Sequence, residues 1–182
     1  MARIDASLSL VPIGGNLSFV GAAGASFAST VLDLLGQGVG TAPQNIIGNA
    51  SVFGTDFGIG AIKEQLLVSV GTAAATADAC TLNCQFQGAE DTGSAGSYLP
   101  GAWQTFVETG PITAAQLTAA QIIARFDWPP AFPANFQPRY MRLNFTTPAG
   151  LLFTAGTIAF ALVTDVRDDY AIKYASANYV VH

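Results

Sequence analysis

The sequence predicts an all-β protein built as an antiparallel sandwich, and three observations support this fold class. In residues 139–145 apolar side chains alternate with Arg142 and Asn144, which is the period of a strand with one buried face. Residues 157–164 are apolar at nearly every position, so we expect both faces of that strand to be covered. Further strand-like segments recur at short intervals between turn-rich stretches, and this spacing is typical of an antiparallel sandwich.

Length and composition favour one domain that associates with other proteins. The 182 residues suit a single β-sandwich. Only 10% of them are charged, whereas ordinary soluble domains have about a quarter. A surface so poor in charge favours association, so we expect much of it to be covered by further copies or by a larger partner.

Residues 1–60 are predicted to form a Gly-rich N-terminal extension of short strands and an arm. Apolar and polar residues alternate over residues 4–10, which predicts a half-buried first strand. The sequence Gly14-Gly15-Asn16 predicts a turn, because glycine and asparagine accept positive φ. Residues 41–60 show no clear period, and they fit an extended arm or a surface loop equally well.

Residues 61–182 are predicted to form the main sandwich. We expect strands at residues 62–70, 79–87, 103–108, 121–127, 139–146 and 157–164. Residues 112–126 are ambiguous, since their alanine and leucine spacing also permits a short amphipathic helix. We favour a turn or a single helical turn followed by a strand, because residues 121–127 alternate and are followed by Trp128-Pro129-Pro130.

Two cysteines fall on the apolar face of one predicted strand. Cys80 and Cys84 are four residues apart, a spacing of about 13 Å along a strand, which is beyond disulfide reach. We therefore expect both thiols to fill the core.

A proline-rich segment at residues 128–138 carries Trp128, Phe132 and Phe136. Its prolines prevent a helix and predict a stiff, extended connector. The aromatic side chains then either anchor an interface, as aromatics do at binding hot spots, or cap one end of the sandwich.

The sequence contains no arrangement typical of an enzyme. Its single histidine, His182, is too little for a metal site or a nucleophile-base pair. Asp168 and Asp169 follow Arg167, a pattern typical of a solvated turn. We expect a protein that is not an enzyme and needs no cofactor or metal.

Charge and hydropathy also argue against two partner classes. The net charge of −5 disfavours nucleic acid, because phosphate binding needs clustered Lys and Arg. Proline, glycine and asparagine interrupt the long uncharged runs, which disfavours membrane spans. No secretory signal is apparent, so we expect the protein to be made in the cytoplasm.

Several motifs follow one another in the second half of the chain: Arg-Tyr-Met-Arg-Leu-Asn-Phe at 139–145, Phe-Thr-Ala-Gly at 153–156, Leu-Val-Thr-Asp-Val at 162–166 and the dipeptide Tyr179-Val180. This order resembles the small capsid cement (decoration) proteins of tailed bacteriophages. Upstream, Val31-Leu32-Asp33-Leu34 is similar to the Ile-Asp-Leu-Gly turn of that family. Leu117-Thr118-Ala119 is similar to its Leu-Thr-Ala-Gly turn, with Ala120 in place of the usual glycine.

The resemblance implies a jelly-roll that trimerises on the outer surface of a phage head and stabilises the capsid. Its partners would be two further copies and the major capsid protein, and residues 41–60 would grip the capsid or exchange between subunits. Interface positions are expected at five residues: Trp103, Trp128, Phe132, Phe136 and Ala161. The alternative is a carbohydrate-binding or host-attachment head protein, in which Tyr98 and the two tryptophans stack on sugars.

Overall fold

The computed structural model of the chain describes residues 9–34, 64–94, 99–128, 132 and 134–165. Within them lie β1 (Ser9–Val11), β2 (Leu17–Ser18), β3 (Ser26–Ala28), β4 (Leu32–Asp33), β5 (Glu64–Val70), β6 (Ala75–Thr76), β7 (Thr81–Ala89), β8 (Gln104–Thr113), β9 (Ile122–Trp128), β10 (Tyr140–Thr146), β11 (Phe153–Ala155) and β12 (Thr157–Asp165). A 3₁₀ turn, Ala114–Gln116, follows β8.

The strands form two main antiparallel sheets. Sheet A has the order β1-β12-β5-β9, and β2 also pairs with β12. Sheet B has the order β3-β10-β7-β8, and β4 also pairs with β10. Strands β6 and β11 form a separate small pair. The predicted all-β antiparallel sandwich is confirmed.

The core lies between the sheets and follows the predicted alternation. In β7 the residues Leu82, Cys84 and Phe86 are buried, and in β10 the residues Met141 and Leu143 are buried. Each buried side chain of this size contributes about 1.5–3 kcal/mol through removal of its apolar surface from water. Cys80 and Cys84 are free and buried, as the strand spacing predicts.

Strand β8 extends further than the predicted 103–108. Gly110 has a φ of 71°, and the register with β7 shifts between Asn83 and Gln85. This irregularity lets the strand continue through Pro111; among the described strands β8 lies at the edge of sheet B, where proline is tolerated.

The ambiguous region after β8 forms a single helical turn followed by β9, which is the favoured prediction. The side chain of Gln116 accepts a hydrogen bond from the Thr113 N–H at 3.0 Å and fixes the start of the turn. Ala120 has a φ of 62°, so alanine adopts here the left-handed conformation that favours glycine.

Residues 9–34 belong to the sandwich itself and are not an appended extension. Strands β1 and β2 pair with β12, while β3 and β4 pair with β10. The predicted turn is confirmed: the Gly15 N–H donates to the Pro12 carbonyl at 2.8 Å, and Asn16 has a φ of 42°. Most of the predicted strand at 4–10 and all of residues 41–60 lie outside the described residues.

The pairing register defines two ends of the sandwich. The last residues of β2, β5, β8 and β10 lie at one end, beside the first residues of β3, β7, β9 and β12. We call this the apolar end; it is formed by residues 19–25, 71–80, 114–121 and 147–156. The opposite end, where β4, β7 and β10 meet, we call the charged end.

Candidate interaction surfaces

Trp128 is a core residue, so the prediction that it lies at an interface is wrong for the described fold. It is the last residue of β9 rather than the first of a connector. Its ring lies 5.4 Å from that of Phe86 in a stacked arrangement, and its side chain is buried. The inward alternation of Ala124 and Phe126 continues to this position, which the following prolines obscured in the sequence.

Ala161 is also buried in the core, opposite Val68, and its predicted interface role is wrong. The register between β12 and β5 shifts between Ile158 and Phe160. Beyond this shift, the side chains that point into the core no longer follow the alternation that begins at Ile158. Leu162 then points away from the sandwich interior. It is nevertheless only 6% exposed, as expected for a strand covered on both faces.

Phe132 and Phe136 cap the charged end of the core. Their ring centroids lie 5.2 and 5.7 Å from that of Phe106, which in turn packs edge-on against Phe86. The absence of a side chain at Gly88 makes room, since a Cβ there would lie 2.3 Å from the Phe106 ring. The geometry thus favours a cap over an interface anchor, although Phe132 remains 41% exposed.

Trp103 is the predicted interface residue that lies on an outer face. Its ring is half-buried, and the Arg142 guanidinium carbon lies 4.0 Å from the ring centroid. Such a cation–π contact orders both side chains. Trp103 therefore forms part of the outer surface of sheet B.

The outer surface of sheet B is a connected polar network, which we call the amide face. Arg142 donates to Gln87 at 3.0 Å, and Gln87 donates to Gln85 at 3.2 Å. Asn144 also donates to Gln85 at 3.1 Å and accepts from Ser26 at 2.6 Å. The network crosses strands β3, β10 and β7, so its side chains are held in fixed positions.

Glu108 lies on β8, the last strand in the order of sheet B, and forms the boundary of the amide face there. Its carboxylate accepts hydrogen bonds from Asn83 at 2.8 Å and from Gln85 at 3.2 Å. These two bonds lower the pKa of Glu108, because they stabilise its charged form. The side chain is exposed and stays ionised at neutral pH.

Arg139 organises the charged end. Its guanidinium forms two hydrogen bonds of 2.9 Å with the two carboxylate oxygens of Asp33 and a third of 2.6 Å with Asp91. The bonds to Asp33 are the largest cause that raises the pKa of Arg139. Arg139 and Asp33 are both buried, which joins β4, the start of β10 and the loop after β7. Alternation alone gave no signal for this contact.

Asp91 links Arg139 to the loop between β7 and β8, because it accepts hydrogen bonds from both. Its other oxygen accepts from the backbone N–H groups of Gly93 at 2.9 Å and Leu99 at 3.1 Å. Desolvation raises the pKa of Asp91, but these two bonds and Arg139 outweigh it, so the net shift is downward. Leu99 is held in place and remains 58% exposed.

Other kinds of site find little support in the part of the chain that the structure describes. No three His, Cys, Asp or Glu side chains there are grouped as metal ligands would be. Burial raises the pKa of the Cys84 thiol, so Cys84 is poorly suited to nucleophilic chemistry. Among the same residues, no helix has the length and apolar character needed to cross a membrane.

No protein-family model matches the chain, and no curated protein sequence matches it.

Proposed function

We propose that the chain is a structural protein of a virion that trimerises on the outer surface of a phage head and stabilises the capsid. One observation carries most of this proposal. The two segments that resemble the cement family upstream and downstream, at residues 31–34 and 139–145, meet through the buried pair of Asp33 and Arg139. Motifs that are distant in sequence but joined in the fold support a real structural resemblance.

The jelly-roll class, which the family implies, is supported by the strand order. Strands β1, β12, β5 and β9 form one sheet, and β3, β10, β7 and β8 form the other. Early strands thus pair with late ones in both sheets, as in a double-sheet fold of two Greek keys.

The proposal includes a purely structural role without catalysis or cofactor. The low charge of the chain supports coverage by other proteins. The chain has a single histidine, His182, and the described residues contain no group of three His, Cys, Asp or Glu side chains placed to hold a metal ion.

The first experiment measures native mass and capsid binding together. Light scattering should give three times the 18.8 kDa mass of the chain. Immobilised protein should retain assembled shells of the major capsid protein from the same virus. A monodisperse folded monomer would contradict the trimer, and failure to retain shells would contradict the capsid role.

A second candidate function, carbohydrate binding, is favoured by the amide face. Fixed planar amides beside an aromatic ring are suited to binding hydroxyl-rich ligands. Only Trp103 of the three proposed stacking residues fits, since Trp128 is buried and Tyr98 lies outside the described residues. A glycan array distinguishes the two functions: binding that disappears in Trp103→Ala would favour carbohydrate recognition.

A further inference from the structure

Arg142 is a partly buried cation on the amide face, and no carboxylate of the described residues forms an ion pair with it. It lies in β10, and its guanidinium carbon is 4.0 Å from the centroid of the Trp103 ring. Partial burial lowers the pKa of Arg142, because a cation that is partly removed from water without a counterion is destabilised. An anion that binds beside Arg142 would offset this cost.

The orientation of the guanidinium is fixed by Gln87. The Nε–H of Arg142 donates to Gln87 Oε1 at 3.0 Å. The amide nitrogen of Gln87 is also engaged, since it donates to Gln85 at 3.2 Å and to Thr105 at 3.1 Å. The two Nη groups of Arg142 form no hydrogen bond with the described residues. Their N–H donors are therefore held in place before a ligand binds.

A single carboxylate is the anion that this arrangement suits best. The N–H groups of a guanidinium form parallel hydrogen bonds with the two oxygens of a carboxylate. A phosphate monoester carries about −1.5 to −2 charges at neutral pH, which is more than one arginine balances. Glu108, which is joined to the same network through Gln85, adds repulsion against a second negative charge. The net charge of −5 likewise disfavours a polyanion.

Hydroxyl groups of the same ligand would find partners next to Arg142. The half-buried amides of Asn83 and Gln85 each donate one N–H to Glu108, and each retains a second N–H. Both bonds reach the Oε2 atom of Glu108, so Oε1 accepts none from the described residues. The pairing register puts these groups side by side, because Arg142 lies opposite Gln87 while Gln85 lies opposite Glu108.

We propose that the amide face binds a sugar acid with one carboxylate, such as a uronic acid, whose carboxylate lies on Arg142 and whose hydroxyls lie on Gln85 and Glu108. This inference deepens the carbohydrate-binding candidate, on which it rests, and it does not depend on the capsid role. Charge complementarity selects the ligand, since a cation without a counterion lies beside groups that suit hydroxyls. A neutral sugar would leave Arg142 without an anion.

Calorimetric titration of the whole chain with glucuronate, glucose and acetate tests the proposal. Glucuronate should bind at least about tenfold more tightly than glucose, because charge-assisted bonds to Arg142 add to those of the hydroxyls. It should exceed acetate by a similar factor, because acetate has the carboxylate but no hydroxyl.

Substitutions of Arg142 identify the group that holds the carboxylate. Arg142→Gln should reduce glucuronate binding to the level of glucose. Arg142→Lys should give an intermediate affinity, because lysine keeps the charge and loses the planar pair of donors. Arg125→Gln is the matched control: Arg125 is exposed on β9 of sheet A, so this variant should bind like the unmodified protein. Circular dichroism checks that each variant is folded.

The outcomes separate the acidic ligand from the carbohydrate function. If glucose binds as tightly as glucuronate, the acidic ligand is wrong, and loss of both in Trp103→Ala would leave carbohydrate binding standing. If acetate binds as tightly as glucuronate, the face binds anions without recognising a sugar, which also overturns the inference. If no sugar binds, the inference and the carbohydrate function are both wrong, while the capsid role is unaffected. The three titrations of the unmodified protein distinguish these outcomes even if an Arg142 variant does not fold.

Discussion

The Arg139 guanidinium donates two hydrogen bonds of 2.9 Å to the two carboxylate oxygens of Asp33, which lies 106 positions earlier in the chain. A bidentate pair of this kind fixes distance and orientation together. It therefore sets the position of β4 against β10, although β4 itself has only two residues. The pair thus adds a side-chain contact to the backbone pairing of β4 with β10.

Removing one partner of this pair should be costly. Asp33→Asn leaves the buried Arg139 with Asp91 as its charged partner, and we expect a loss of about 3 kcal/mol in the free energy of unfolding. Urea denaturation of the two proteins measures the difference. A loss below about 1 kcal/mol, the value of an exposed pair, would contradict a structural role.

The loop after β7 should open in acid. The folded protein holds the pKa of Asp91 below its ordinary value, so the carboxylate stabilises the loop above about pH 4. This contribution is lost as the pH falls through the lowered pKa. Hydrogen-exchange protection of the Leu99 and Gly93 amides should fall over that range. In Asp91→Ala the protection should be low at every pH; an unchanged profile would refute the assignment.

Ala120→Gly should stabilise the protein. Alanine at a φ of 62° is strained, and glycine relieves that strain by about 1 kcal/mol. Thermal unfolding checks the sign. Ala119→Gly is the matched control, because Ala119 is exposed and is not among the positive-φ residues, so its replacement should be neutral or destabilising. Equal effects at both positions would show that the turn geometry is not the cause.

Ala161→Asp should prevent folding rather than dissociate an oligomer. The side chain is buried between the sheets, and an unpaired carboxylate there costs several kcal/mol. Circular dichroism and solubility report the result. Ala28→Asp, on the exposed surface of β3, should remain folded. A folded monomer of Ala161→Asp would restore the interface role that the sequence predicted for this residue.

The sequence predicted those features that arise from local pattern. Strict alternation identified β7 and β10, and glycine with asparagine identified the turn before β2. Shifts in strand register could not be predicted from the sequence, because the irregularity between Ile158 and Phe160 depends on how β12 pairs with β5. This shift is why Ala161 was assigned to the wrong face.

The candidate surfaces were less predictable because they combine distant segments. Phe132 and Phe136 were predicted to lie on one proline-rich connector, but their contact with Phe106 depends on the space left by Gly88, which the sequence pattern does not reveal. The apolar end joins four segments that are individually unremarkable alanine-rich loops. Only the register of the strands brings them to the same end.

Capsid binding is measured most directly by mixing purified protein with heads that lack it and following sedimentation at low and high salt. We expect binding to assembled heads but not to free capsid subunits, because multivalent attachment strengthens weak individual contacts only where the subunits are correctly spaced. Binding should persist in high salt, since the chain has few charges to be screened, and the temperature at which heads release DNA should rise. Equal binding to free subunits, loss of binding in moderate salt or an unchanged release temperature would contradict a stabilising role on the capsid.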